Sequence, residues 1–450
     1  MAGFRQAVLA GSMFILLPAA ASAADNAELM AALKQMQQQL NAQQAQIQRL
    51  QQELEKKETV AQQAPVAAAV SAAAPASATV QLKPGPEIVS ADGDTLFALD
   101  GRVVTDAGFV MKDNADIADA TDMRYLWLGV KGRSGDWGYR LLAGLENDAM
   151  DVKDAFVSYH GFDGAMLQVG NFKEFNGIDL MSSNLHTTFM ERSSAVTTFR
   201  PLRRLGVGST FNGERWTVQL GAFGDDPGNS PADDEGYSFT GRVVAAPILD
   251  LNRDHVLHLG ATARYQVPDA DKDNARFRTR GESHVIGAYL ADTGTIANVD
   301  HTETYGAEAR YTYGPLALTG EYNVTRVDVD NASDPLLSGG YVSASWFLTG
   351  EQRGYKLANG TYGRVKPDAP LTRDGSGYGA WELAGRYSFV DLSDEMVSGG
   401  EMDSYTLGLN WYPTANTKFM LNYVFNETDA DATMPDNDPQ YLMLRAQADF

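Results

Sequence analysis

At 450 residues the chain can hold two or three ordinary domains, or one large barrel with a small appendage. Its formal charge of −22 leaves no basic stripe for a phosphate backbone, which excludes nucleic acid as a partner. With no cysteine, disulfides, thiolate zinc sites and cysteine nucleophiles fall away together.

In chain order, Arg5, the apolar run Ala7 to Ala20 broken by Pro18, and the small residues Ala21-Ser22-Ala23 predict a secretory signal peptide over 1–23. No later segment carries the roughly 18 apolar residues of a membrane-spanning helix. Over 25–60, Leu33, Leu40, Ile47 and Leu54 alternate with Leu29, Met36, Gln43 and Leu50 as a heptad seam. Such a helix has no globular core of its own and must pair with copies of itself, so a periplasmic coiled coil and an oligomer are expected. Residues 61–94, rich in Ala and Pro, read as a linker.

From Thr95 a two-residue period sets in and recurs in sixteen runs, from 97–110 to 441–450, separated by turn clusters such as Arg133-Ser134-Gly135-Asp136 and Pro413-Thr414-Ala415-Asn416. In the last run Leu442, Leu444, Ala446, Ala448 and Phe450 share one face, and Arg445, Gln447 and Asp449 the other. The same division places Trp381, Tyr387, Tyr405, Trp411 and Phe419 opposite Glu382, Arg386, Asn410 and Lys418. Sealing such ions unpaired in a dry sandwich core would cost several kcal/mol each, whereas a water-filled lumen removes that cost. The expected fold class is therefore all-β: over 95–450 a 16-stranded antiparallel transmembrane β-barrel, preceded by an N-terminal α-helical coiled coil. Even strand number suits a single-chain outer-membrane barrel with short periplasmic turns. Two irregularities stand out: His284 to Leu290 reads as a short strand inside a loop, and 350–377 is long for the short-turn side.

Several motifs in order carry a resemblance over residues 95–450. They are Val169-Gly170-Asn171-Phe172-Lys173, Thr188-Phe189-Met190-Glu191-Arg192, Arg204-Leu205-Gly206-Val207, Tyr341 to Gly350, Arg364-Val365-Lys366-Pro367, Gly379 to Ser388 and Gly408 to Tyr412. Together they resemble the family of phosphate-selective porins O and P. The resemblance implies a trimeric sixteen-stranded porin whose inward-folded segments make a basic constriction that passes small anions.

By strand parity Arg102, Arg140, Arg204, Arg242, Arg264, Arg310, Arg386 and Arg445 face the lumen, where planar, permanently charged guanidinium groups can replace an oxyanion's hydration shell. Asp100, Asp106, Glu146, Asp154, Glu308, Glu321, Glu382 and Asp449 face inward too, so each arginine is as readily explained by pairing across the wall. The connection 172–203 exceeds an ordinary loop and is expected to fold inward. From Phe172 to Arg204 the chain carries Lys173, Arg192, Arg200, Arg203 and Arg204 against Glu174, Asp179 and Glu191, giving a positive constriction within an acidic protein. One departure from the family pattern is that Arg124-Tyr125-Leu126-Trp127 stands where phosphate-selective relatives open a strand with several arginines. The reading is an outer-membrane porin preferring small anions, phosphate among the possibilities, with membrane lipid and lipopolysaccharide as surroundings and a homotrimer as the assembly. A non-selective porin and a structural tether are the alternatives. An enzyme is not expected: no HExxH pattern exists, Asp269, Asp271 and Asp273 fail as a calcium loop at Asn274 and Arg280, and Ser209 with His258 is the one conceivable hydrolase pair. No cofactor, metal or catalytic residue is assigned.

Overall fold

The computed structural model describes residues 79–82, 85–114, 117–146, 149–224, 235–269, 272–429 and 437–450. The signal peptide, the heptad seam and most of the linker lie outside the described residues.

Sixteen strands form the wall. They are β1 (Thr95–Lys112), β2 (Ala120–Ser134), β3 (Trp137–Gly144), β4 (Asp151–Phe162), β5 (Ala165–Lys173), β6 (Arg203–Asn212), β7 (Trp216–Phe223) and β8 (Tyr237–Asp250). The second half comprises β9 (His255–Val267), β10 (Val299–Tyr313), β11 (Leu316–Val329), β12 (Leu336–Phe347), β13 (Ala380–Asp394), β14 (Val397–Thr414), β15 (Thr417–Thr428) and β16 (Gln440–Asp449). Each pairs antiparallel with its sequence neighbours, and β16 pairs with β1 from Gln440↔Lys112 to Asp449↔Arg102, so the sheet closes on itself. Closure removes the unpaired edges that lipid would not hydrate.

The alternation of faces follows the sequence. Outward positions carry exposed apolar side chains such as Val103, Leu141, Val157, Val207, Val243, Leu318, Val342, Leu407 and Leu444. Aromatic rings run across neighbouring strands on the same surface: Trp411 stacks on Trp381 and Phe419 at centroid distances of 5.6 and 5.5 Å. Tyr405 lies 5.2 Å from Tyr387 and 5.9 Å from Phe425. This is the arrangement of an aromatic girdle at a membrane boundary.

Two parts depart from a plain barrel. Thr79–Leu82 and Pro86–Val89, expected within the linker, form a hairpin whose second strand pairs with the start of β1 through Glu87↔Ala98, Ile88↔Phe97 and Val89↔Leu96. It continues the wall where β16 stops. Gly85, at φ +90°, makes its turn, and a Cβ there would press on the Leu99 carbonyl and the Phe450 backbone. The second departure is the 348–379 connection at the rim of tight turns. Inside it Arg353–Lys356 and Thr361–Val365 pair as a hairpin. No strand forms at 284–290; the short pieces of that connection are instead Asn274–Ala275 with Ile296–Ala297 and Arg278–Thr279 with Ala291–Asp292.

Candidate functional site

Among the described residues, three connections enter the lumen. The first, 174–202, carries the helical turns α1 (Ile178–Met181) and α2 (Ser194–Phe199), the latter capped by Ser193 Oγ accepting from Val196 N at 3.2 Å. It is held to the far wall by polar residues of β13–β16. Lys418 Nζ donates to Thr187 O at 2.7 Å, Asn410 Nδ2 to Thr188 O at 2.7 Å, and Met190 N to Asn422 Oδ1 at 3.1 Å. Buried polar side chains that would be costly alone thus find their partners in a loop backbone.

The second connection, 268–298, packs Val285 and Ile286 against Met190, Met420, Val424, Tyr441 and Met443. Its Glu282 accepts from Arg386 Nε at 3.0 Å and also from Ser388 and Thr406. The third is the hairpin inside 348–379. Arg353 binds Glu382 at 2.7 Å and donates to Tyr412 Oη at 3.0 Å, Arg364 pairs with Asp449, and Tyr362 Oη donates to Asp179 at 2.5 Å. Arg242 donates to Asn359 O and Gly360 O at 2.9 and 2.7 Å. The lumen beside β8–β16 is therefore largely filled.

Beside β1–β7 it stays open. A cavity of about 1260 Å³ reaches from Arg124 to Arg133 along β2, nine residue steps or roughly 30 Å of strand. The β1–β7 wall, the 174–202 loop and the 353–365 hairpin bound it. Thirteen Arg and Lys side chains line it, against Asp100, Asp151 and Asp154 as the carboxylates. Pairing consumes part of that charge. Arg140 bridges Asp100 at 2.8 Å and Asp154 at 3.1 Å, Arg203 binds Asp154 at 2.7 Å, and Lys153 binds Glu146 at 3.1 Å. Seven cations lining the cavity, Arg102, Arg133, Lys173, Arg192, Arg200, Lys356 and Lys366, have no carboxylate at ion-pair distance among the described residues.

Lys173, Arg192, Arg200 and Arg203 come together on this cavity. Lys173 donates to Leu180 O at 2.6 Å, while Arg192 holds Asp179 O at 2.9 Å and Ser182 O at 3.0 Å, so both brace the loop. Arg200 is exposed to the cavity. Arg204 turns away to the fully buried Glu174 at 3.2 Å, which also takes Arg264 at 2.8 Å. Of the other arginines facing inward, Arg102 lies on the cavity with its guanidinium carbon 4.5 Å from the Trp127 ring. Arg242 pairs with Glu308 at 2.8 Å, Arg445 with Asp106 at 2.6 Å and Glu191 at 2.7 Å, and Arg310 donates to Thr319 Oγ1 at 2.8 Å. Arg386 is engaged by Glu282.

Glu191 is the electrostatic anchor of the inward loop. Burial opposes its ionisation, but Arg124, bidentate at 2.8 and 2.9 Å, and Arg445 hold its carboxyl well below the usual carboxylate range. His186 moves down to about 3, through burial and the nearby Arg364 and Arg353, and is neutral at working pH. Sequence reasoning missed Arg353, which no strand parity reaches, and Lys356, Arg364 and Lys366 as lining cations. The available signal was the length of 350–377 on the short-turn side. Ser209 points outward beside Leu167 and Leu220, whereas His258 is buried in the lumen against Glu308 at 3.1 Å and Tyr355 at 2.8 Å. The pair cannot form a hydrolase site.

A closed sixteen-stranded barrel with a lipid-facing apolar surface, inward loops and a charged lumen beside them is an outer-membrane porin, a diffusion channel. The model of "Phosphate-selective porin O and P" matches residues 97–450. The chain belongs to the phosphate-selective porin O and P family. An uncharacterized protein of Caulobacter vibrioides is 32% identical over 413 residues, covering 86% of this chain and 82% of that one. Porin O of Pseudomonas aeruginosa is 26% identical over 395 residues, covering 79% and 88%. Among solved structures, an anion-selective porin from Comamonas acidovorans shares the fold at a TM-score of 0.51 and 13% identity, over 79% of this chain and 100% of that one.

Proposed function

We propose that this porin passes small anions in preference to cations, and that Arg102, Lys173, Arg192, Arg200 and Arg203 form its selective surface. One observation carries the reading: the open cavity is lined by thirteen cations and three carboxylates although the whole chain is strongly acidic. Inside a low-dielectric wall such an excess raises local anion concentration and repels cations. Backbone carbonyls and ring faces hold several of the guanidinium groups, so no single step needs to bind too tightly for release. Planar-bilayer reversal potentials in a KCl gradient test this: the expected potential has the sign of chloride permeation, and a potassium-selective one refutes the reading. We also propose a homotrimer in lipopolysaccharide-containing membrane, in line with the self-pairing heptad seam of 25–60. A trimer mass in native mass spectrometry of the detergent-extracted protein checks it.

A further inference from the structure

The two halves of the inner wall differ in a way that a simple water-filled pore does not require. Where loops cover the wall, inward side chains are buried whether polar, as Thr304, Thr325, Ser404, Asn410 and Asn422, or apolar, as Met402, Met420, Val424 and Met443. Where the wall and the 174–202 loop face the open cavity, apolar groups keep solvent access. Val152 is 45% and Leu202 55% exposed, and Phe156, Met166, Met181 and Leu185 are half-buried along the same cavity. Cations are interleaved with them. The Trp127 ring alone has Arg102, Lys153 and Arg203 at 4.5, 5.3 and 5.5 Å, and Arg200 is exposed beside Leu202.

Apolar surface kept against water is unfavourable in proportion to its area, and a solute with an apolar body relieves that cost while its charge meets a guanidinium. A bare inorganic oxyanion can use only the cations. Resting on the anion reading above, we infer that the favoured solute class is the amphipathic organic anion, a carboxylate or phosphate monoester carrying a flat apolar group.

Chloride conductance of the full chain in planar bilayers, titrated separately with benzoate, acetate and inorganic phosphate, tests this. Benzoate is expected to halve the conductance at a concentration at least tenfold below that of either acetate or phosphate. In Val152→Asn/Met166→Gln the ratio of acetate to benzoate half-blocking concentrations should fall at least threefold. Half-blocking concentrations for benzoate and acetate within twofold of each other, or phosphate blocking at the lowest concentration, overturn the inference while leaving the anion reading intact. A potassium-selective reversal potential overturns the anion reading itself, and the solute class with it.

Discussion

Arg192, Arg200 and Arg204 sit within thirteen positions of one another, yet their surroundings assign them different tasks. Arg200 offers its charge to the cavity, Arg192 does so while bracing two loop carbonyls, and Arg204 is committed to Glu174. Arg200→Ala should therefore shift the reversal potential towards zero. Arg204→Ala should leave selectivity near the parent value but lower the unfolding midpoint, because Glu174 loses one of its two guanidinium partners; removing one side of a buried pair costs about 3 kcal/mol. Reversal potentials and thermal melts of the two variants check both outcomes. Glu191 carries a pH prediction. Its folded pKa is depressed, so its stabilising contribution is complete above the unfolded carboxylate value of about 4.3 and is lost only as pH falls through the lower folded value. Conductance noise attributable to this loop should thus be unchanged from pH 7 to 5, whereas Glu191→Gln, which is neutral throughout, should raise it at pH 7.

Among the elements, the hairpin within 348–379 has the largest leverage on the pore. Arg353 fixes it to Glu382 and Tyr412 with almost no solvent access. Arg353→Ala should release it from the wall, seen as a larger single-channel conductance and faster proteolytic cleavage near 357–359. The wall itself was legible: period-two alternation located all sixteen strands, because a side chain's face in a pleated sheet is set by its parity. Seating of the inward segments was not. Alternation says that Glu382, Lys418 and Asn422 point inward, but not that the Arg353 guanidinium would meet the first, or that loop backbone more than two hundred positions away would satisfy the other two. Long-range pairing leaves no periodic trace. For the same reason parity grouped Arg242 and Arg445 with Arg102, although only Arg102 meets the open cavity.

At the scale of the whole molecule, half of the cylinder is packed and half is conduit. Stability and transport thereby occupy different arcs of one wall, so polar-to-apolar changes on β13–β16 should alter melting far more than permeation. Asn422→Leu tests this, since it removes the acceptor for Met190 N; the expected result is a lower melting temperature with the reversal potential retained. Arg364 takes its partners from the Ala415 carbonyl, at the β14–β15 turn, and from Asp449, the second-last residue of the chain. That seat forms when β16 lies along β15, where Asp449 N donates to Asn416 O at 3.0 Å. The internal brace is consequently tied to the seating of the last wall strand, so a fault in either loosens the other.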